Sequence, residues 1–180
     1  MTGKSLGSGT WFDYATLKYN SAGTYLRVRR YNGPSNGDDM AYAIAVDASG
    51  NVYVTGGSRG SGTRLDYATI KYNSAGDTVW VRRYNGPADT IDVAYAIAVD
   101  ADSNVYVTGK SYGSGTHHYD YATIKYNSAG DTVWVRRYNG PADTIDVAYA
   151  IAVDVDSNVY VTGKSYGSGT HHYDYATIKY

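Results

Sequence analysis

The chain has 180 residues, a formal net charge of −1 and a hydrophobic fraction of 43%. These values exclude a disordered chain and give no global field to attract nucleic acid or an anionic membrane surface. No apolar run is long enough to be inserted across a membrane. The chain contains 22 Tyr and 21 Gly but no Glu, Gln or Cys. Because Tyr favours strands and Glu and Gln favour helices, the sequence predicts an all-β protein without disulfides.

The first segment, residues 1–12, is related to a later part of the chain. Thr2–Ser5 repeats the residues of Thr108–Ser111, and the N-terminus lacks the apolar core of a signal peptide. We therefore expect the chain to begin inside a structural repeat, as a fragment of a longer protein would.

A unit of 54 residues recurs after this segment. Residues 66–119 and 120–173 differ only at Ala101, which is Val155 in the second copy. A looser copy covers residues 13–65, and residues 174–180 begin a further one. Units of this length must stack on their neighbours to bury their apolar faces. We predict a single repeat domain over residues 1–180, of either recently amplified or engineered origin.

Each unit predicts four strands, here called a to d in chain order. In one unit these are Ala94–Asp100, Val105–Gly109, Tyr121–Tyr126 and Thr132–Tyr138. Strand a alternates Ala with Tyr, Ile and Val, which predicts burial on both faces. Polarity then rises towards strand d. Such a graded antiparallel meander is typical of a β-propeller blade, with strand a at the axis and strand d at the rim.

The segment Ala94–Gly109 reads Ala-Tyr-Ala-Ile-Ala-Val-Asp, then Asn-Val-Tyr-Val-Thr-Gly, and Asp120–Gly130 precedes a Val-Trp pair. These motifs resemble the bacterial and archaeal seven-bladed β-propeller repeat, SBBP, and are similar to the NHL and YVTN repeats. The resemblance implies a propeller of four-stranded antiparallel blades that serves as a scaffold or binding module, mostly secreted or at the cell surface. A closed propeller has about 4–8 blades, whereas this chain has sequence for about three.

An incomplete ring predicts association of the chain with itself. The N-terminal region predicts a c strand from Asp13 to Tyr19 and a d strand from Arg27 to Tyr31, and Asp174–Tyr180 predicts a final c strand. A composite blade, with d from one copy and a, b and c from the next, would give a six-bladed homodimer or a nine-bladed trimer. One c strand per copy, Asp13–Tyr19 or Asp174–Tyr180, would then be redundant and would pair irregularly.

Two longer connections predict the face on which a ligand would bind. They are the b–c loop Lys110–Tyr119 and the d–a loop Pro141–Asp146, and loops on a rigid scaffold commonly carry function. The alternative function is therefore a multivalent, lectin-like module, since aromatic rings offer contact area to sugars. The candidate ligand-binding residues are Tyr112, His117, His118, Tyr119, Asp143, Asp146, Tyr166, His171 and His172.

Two further patterns have structural interpretations. The Arg pairs at 29–30, 82–83 and 136–137 predict a solvated strand edge, with a phosphate-binding stripe as the alternative. Asp100–Asn104 resembles a calcium loop, but Val105 stands where that loop requires Gly. A hairpin turn is the better interpretation of this segment.

The sequence gives no sign of catalytic chemistry. The adjacent His117 and His118 point to opposite sides of an extended backbone, so they do not favour a shared metal ion. The chain has no Gly-x-Ser-x-Gly elbow and no phosphate loop. We predict a protein without enzymatic activity, cofactor or metal site.

Overall fold

The protein is described by a computed structural model that covers residues 1–115, 117–169 and 172–180. The described residues form fourteen β-strands and no helix, so none of their elements is a helix able to cross a membrane. The all-β prediction is confirmed. The strands are β1 (Thr2–Leu6), β2 (Phe12–Tyr19), β3 (Tyr25–Tyr31), β4 (Asp39–Val46), β5 (Val52–Arg59), β6 (Leu65–Tyr72), β7 (Thr78–Tyr84), β8 (Asp92–Val99), β9 (Val105–Tyr112), β10 (Tyr119–Tyr126), β11 (Thr132–Tyr138), β12 (Val147–Val153), β13 (Val159–Tyr166) and β14 (Tyr173–Lys179).

These strands form four antiparallel meanders. The N-terminal sheet has the order β1-β2-β3, two complete sheets follow as β4-β5-β6-β7 and β8-β9-β10-β11, and the C-terminal sheet is β12-β13-β14. In the notation of strands a to d, the chain therefore reads bcd, abcd, abcd and abc. The repeat predicts this order, and the N-terminal segment forms the expected remnant of a b strand.

Three apolar clusters hold successive sheets together. The largest lies between the two complete sheets and contains Tyr53, Trp80, Ile124 and Tyr126. Similar clusters join the N-terminal sheet to the first complete sheet and the second complete sheet to the C-terminal one. Each unit thus buries its apolar faces against its neighbours, as in other repeat proteins.

The prediction that strand a is buried on both faces is wrong. In β8 the residues after Tyr95 are only half-buried, whereas β9 and β10 are almost continuously buried. Strands b and c are paired on both sides and covered by neighbouring sheets, while strand a is an edge strand that pairs with strand b alone. Burial therefore concentrates in the middle of each sheet.

A β-bulge also changes the predicted alternation of strand a. The register shifts between Ala94 and Ala96, so that Tyr95 is the additional residue. Ala94 consequently shares a face with Ile97 and Val99 in the main cluster, although the sequence places Ala and Ile on opposite faces. Equivalent bulges occur at Tyr42 and Tyr149, and the rings of Tyr42 and Tyr149 both contact that of Tyr95, at centroid distances of 5.5 and 5.8 Å.

The calcium-like segment is a hairpin turn, as predicted. Both carboxylate oxygens of Asp100 accept hydrogen bonds within it, Oδ1 from the Asp102 and Asn104 amides at 3.0 and 2.8 Å, and Oδ2 from the Asn104 side chain at 2.8 Å. The Tyr106 hydroxyl also donates to Oδ2, at 2.8 Å. The carboxylate is thus part of an Asx turn that starts strand b.

Candidate functional site

One type of hydrogen bond recurs at each of the three junctions between successive sheets. Tyr67 of β6 donates its hydroxyl hydrogen to the carbonyl oxygen of Ala122 in the next sheet, at 3.1 Å. Tyr14 donates to Ala68 at 3.1 Å, and Tyr121 donates to Ala176 at 3.3 Å. These bonds all run in one direction, from each sheet to the sheet that follows it in the chain.

Strand d adds further links in the same direction. Arg82 Nε donates to the carbonyl oxygen of Gly130 at 2.6 Å, and Trp80 Nε1 donates to that of Ser128 at 3.4 Å. Arg29 makes the corresponding bond to Gly76 at 2.6 Å. The first arginine of each of these two pairs is therefore an inter-sheet contact rather than a solvated edge.

The second arginine of each pair is the centre of a polar network in the complete sheets. Arg137 donates to Ser111 Oγ at 2.6 Å, to the Ser111 carbonyl oxygen at 2.8 Å and to Asp120 Oδ2 at 2.8 Å. It also reaches the hydroxyl of Tyr84 in the preceding sheet, at 3.4 Å. Arg83 makes the same set of contacts with Ser58, Asp66 and Tyr31.

The side chains of this network are largely buried. The side chains of Arg137 and Asp120 are 25% and 5% exposed. Burial raises the pKa of Asp120, and the hydrogen bond from Arg137 opposes that effect only in part. The interpretation of the Arg pairs as a solvated edge is therefore wrong for these sheets, because the guanidinium is needed inside to satisfy a buried carboxylate.

The N-terminal sheet has a looser form of the network. Arg30 stands 3.8 Å from Asp13, and its side chain is 45% exposed. It donates to Ser5 Oγ at 2.9 Å and to the Leu6 carbonyl oxygen at 3.1 Å, and within the described residues no tyrosine hydroxyl completes the set of contacts found around Arg83 and Arg137.

The C-terminal sheet has the acceptors of the network without the arginine strand. Ser165 and Asp174 are opposite each other in the register of β13 and β14, as Ser111 and Asp120 are in β9 and β10. Ser165 is only 5% exposed, and its hydroxyl has no hydrogen-bond partner among the described residues. Buried polar groups are rarely left unpaired in this way.

The predicted b–c loop is shorter than the sequence suggests. Tyr112 is the last residue of β9 and Tyr119 the first of β10, and the two are paired in register. Their rings pack edge to face at 5.3 Å. The Nζ atom of Lys110 lies 4.3 Å from the Tyr119 ring centroid. In the C-terminal sheet, Tyr166 and Tyr173 form the equivalent pair at 5.2 Å.

The other predicted ligand-binding residues take part in turns. His117 has a φ of 56°, and its amide donates to the Gly113 carbonyl oxygen at 3.2 Å. His118 and His172 are exposed and accept backbone hydrogen bonds that close the two b–c turns. His171 lies outside the described residues. Within those residues, no cluster of His, Asp, Glu or Cys side chains fits a metal ion.

The two aspartates of the d–a connection have structural partners. Asp143 accepts a hydrogen bond from the Asn139 side chain at 2.8 Å. Asp146 is 1% exposed and accepts hydrogen bonds from the backbone amides of Gly140 and Tyr166 at 2.6 and 3.3 Å. Its carboxylate is thus directed into the protein.

The strands predicted to pair between copies are all paired within this chain. The strand with Asp13 and Tyr19 lies between β1 and β3, and Arg27 donates to the Ser74 carbonyl oxygen at 2.7 Å. Tyr31 packs against Tyr14 with ring centroids 5.5 Å apart. Asp174–Tyr180 pairs with β13, and the Tyr180 amide donates to Val159 at 2.9 Å. Pairing between copies stays a prediction.

Four-stranded meanders that stack in chain order, joined at their middle strands, define the class of β-propeller repeats. The family model of the SBBP beta-propeller repeat matches residues 79–115 and 133–169. Each match runs from strand d of one sheet through strands a and b of the next. These two matches confirm the resemblance to the SBBP repeat that the motifs predict.

Two curated proteins are similar to parts of the chain. The regulatory protein FlaEY of Caulobacter vibrioides is 31% identical over 113 residues, which cover 55% of this chain and 11% of that protein. An uncharacterized WD repeat-containing protein of Acanthamoeba polyphaga mimivirus is 26% identical over 156 residues, which cover 67% of this chain and 11% of that protein. The chain therefore spans only a small part of the length of either relative.

Proposed function

We propose that this chain is a non-enzymatic β-propeller scaffold that associates head to tail with further copies of itself. One composite sheet at each junction, with strand d from one copy, would give six blades in a homodimer. A trimer would give nine. Such heterologous contacts close when the rotation between copies permits it and otherwise continue as a filament.

The carrying observation is that each of the two end sheets exposes a face that the complete sheets bury. Tyr175 is 86% exposed, whereas its counterparts Tyr67 and Tyr121 are 0% exposed against a following sheet. On the N-terminal sheet, Tyr19 is 42% exposed, whereas its counterpart Tyr126 is 1% exposed against a preceding sheet. Apolar surface and open strand edges of this kind favour association.

The assembly is tested by light scattering after size-exclusion chromatography. One chain has a mass of 19.5 kDa, and we expect a discrete species of twice that mass, or three times it for the trimer. A mass of one chain at about 1 µM and above would contradict the proposal.

A pair of variants shows whether the end face is responsible. Tyr175→Asp places a charge on the exposed end face and should shift the population to single chains. Val155→Asp places the same charge at a turn position that is 99% exposed and should assemble like the parent chain. Equal behaviour of the two variants would mean that the face around Tyr175 is not used.

The alternative function, a lectin-like module, has one supporting observation. The arrangement of Lys110 over Tyr119 recurs as Lys164 over Tyr173, each at 4.3 Å from the ring centroid. A propeller would thus present the same site repeatedly, which favours multivalent binding. A glycan array tests this function: binding that is lost on Tyr112→Ala and Tyr166→Ala would support it, and an array without reproducible binding would contradict it.

A further inference from the structure

The outer edge of β14 has no strand paired to it among the described residues. In the two complete sheets, the equivalent edge is covered by β7 and by β11. An open edge offers backbone groups to an incoming strand, while the side chains beside the edge decide which strand fits. The side chains beside β14 are therefore informative.

Three residues near this edge correspond to residues that contact an arginine in the complete sheet of β8 to β11. Ser165 and Asp174 correspond to Ser111 and Asp120, and they keep the same register. Tyr138 corresponds to Tyr84, and its ring packs on Tyr121 at 5.4 Å, as that of Tyr84 packs on Tyr67 at 5.5 Å. The acceptors for a guanidinium are thus assembled on one side of β14.

The buried hydroxyl of Ser165 indicates what is missing. Ser111 Oγ receives a hydrogen from Arg137 at 2.6 Å, but Ser165 Oγ is buried with no partner among the described residues. A buried hydroxyl without a hydrogen bond is unfavourable, and an arginine would pair with it and with the nearby carboxylate together. The socket therefore fits a d-type strand that carries arginine.

The chain itself contains a d-type strand with a weakly held arginine. β3 ends in Val-Arg-Arg-Tyr, as do the strands β7 and β11. Its Arg30 is 45% exposed and 3.8 Å from Asp13, whereas Arg137 is 25% exposed and 2.8 Å from Asp120. The described residues include no a strand in the sheet of β3.

We infer that Tyr138, Ser165 and Asp174 form an arginine socket that binds strand β3 of a second copy through its Arg30. The inference rests on the proposed function and names the contact that would join the copies. In this arrangement, β3 of the second copy leaves its own β1 and β2 and pairs with β14 of the first copy. The composite sheet then consists of β12, β13 and β14 of one copy and β3 of the other. The redundant c strand is then β2, and the composite sheet gains the a strand that the N-terminal sheet lacks.

A synthetic peptide tests the socket apart from the assembly. The probe is a fluorescent peptide with the sequence of residues 24–31, and the acceptor is the full chain with Arg30→Ala, so that its own β3 competes less. We expect saturable binding by fluorescence anisotropy. A peptide with Lys in place of Arg30 should bind about tenfold more weakly, because an ammonium cannot bridge two acceptors as a guanidinium does.

Variants of the acceptor locate the binding site. Asp174→Asn and Ser165→Ala should each weaken binding by about five- to tenfold, since each removes one partner of a charge-assisted hydrogen bond. Asp156→Asn removes a carboxylate from the exposed a–b turn of the same sheet and should leave the peptide affinity unchanged. Equal affinities for the Arg and Lys peptides, or no binding of either, would overturn the inference.

Light scattering on the full chain separates this inference from the proposed function. If Arg30→Lys and Asp174→Asn both assemble like the parent, the copies join elsewhere, so the socket is overturned while the scaffold proposal stands. If the parent remains a single chain but the peptide binds with the expected arginine dependence, the socket stands and self-assembly fails.

Discussion

Tyr121 and Tyr175 stand at the same position of two copies of one sequence, but in opposite surroundings. Tyr121 is 0% exposed and hydrogen-bonded to the next sheet, while Tyr175 is 86% exposed at the end of the stack. A similar contrast separates Tyr19 of the N-terminal sheet, which is 42% exposed, from Tyr126, which is 1% exposed. Identical side chains thus differ in energetic role because of what stands beside them, and paired substitutions measure that difference.

The largest expected effect concerns the inter-sheet tyrosine. Tyr67→Ala removes a ring that is 0% exposed and should lower the free energy of unfolding by about 3–5 kcal/mol. Tyr175→Ala should change it by less than about 0.5 kcal/mol. Urea denaturation, at a concentration where light scattering gives the mass of one chain, measures both. Similar losses for the two variants would remove the distinction between inner and end sheets.

The arginine network should show the next largest contrast. Arg137→Ala leaves Asp120 and Ser111 buried without their donor and should destabilise the chain by about 2–3 kcal/mol. Arg30→Ala removes a half-exposed group with a longer contact and should cost about 1 kcal/mol or less. Thermal and urea unfolding of the two variants measure the difference. If Arg30 proves as important as Arg137, its pairing with Asp13 is tighter than the structure shows.

Gly109 and Gly3 provide a contrast in backbone spacing. A Cβ atom added to Gly109 would lie 2.0 Å from the Val93 carbonyl oxygen of strand a, whereas one added to Gly3 would meet nothing within 4 Å. Gly109→Ala should therefore destabilise the chain by about 2 kcal/mol. Gly3→Ala should be neutral or slightly stabilising. A strongly destabilising Gly3→Ala would show that the edge of β1 is already occupied.

The smallest effect depends on pH. Burial raises the pKa of Asp47, but hydrogen bonds from Asn51, Tyr53 and Ser103 outweigh it and lower the pKa to about 2. The folded-state pKa is thus below the unfolded value, so this group stabilises the fold at neutral pH, and that stability is lost as the pH falls from about 5 to 2. After allowance for solvent screening, the loss is about 1 kcal/mol.

Asp47→Asn should remove this part of the acid sensitivity. The free energy of unfolding of the variant and of the parent, measured between pH 7 and pH 2, should differ most at neutral pH and converge in acid. Profiles that stay parallel over the whole range would contradict the pKa shift of Asp47.

The sequence predicts the order of the strands and the class of fold, because a near-perfect repeat shows where each unit begins again. It does not predict the Tyr95 bulge, since a bulge depends on the partner strand rather than on local alternation. It also misses the network of Arg137, whose partners Ser111 and Asp120 lie 26 and 17 residues earlier in the chain. The spacing of 17 residues between this arginine and its aspartate also separates Arg83 from Asp66, and its recurrence is the one sign of the network in the sequence.

The single direction of the Tyr-to-Ala hydrogen bonds gives the stack a polarity. One end presents a hydroxyl donor, as at Tyr175, and the other presents the acceptor carbonyl of Ala15 or, once β2 is displaced, that of Ala68. Two C-terminal sheets placed face to face would oppose donor to donor, and their tyrosines would find no carbonyl. A contact that continues these hydrogen bonds must therefore join the copies head to tail. Any closed assembly built on it has rotational symmetry about the propeller axis, with every copy in the same orientation around the ring.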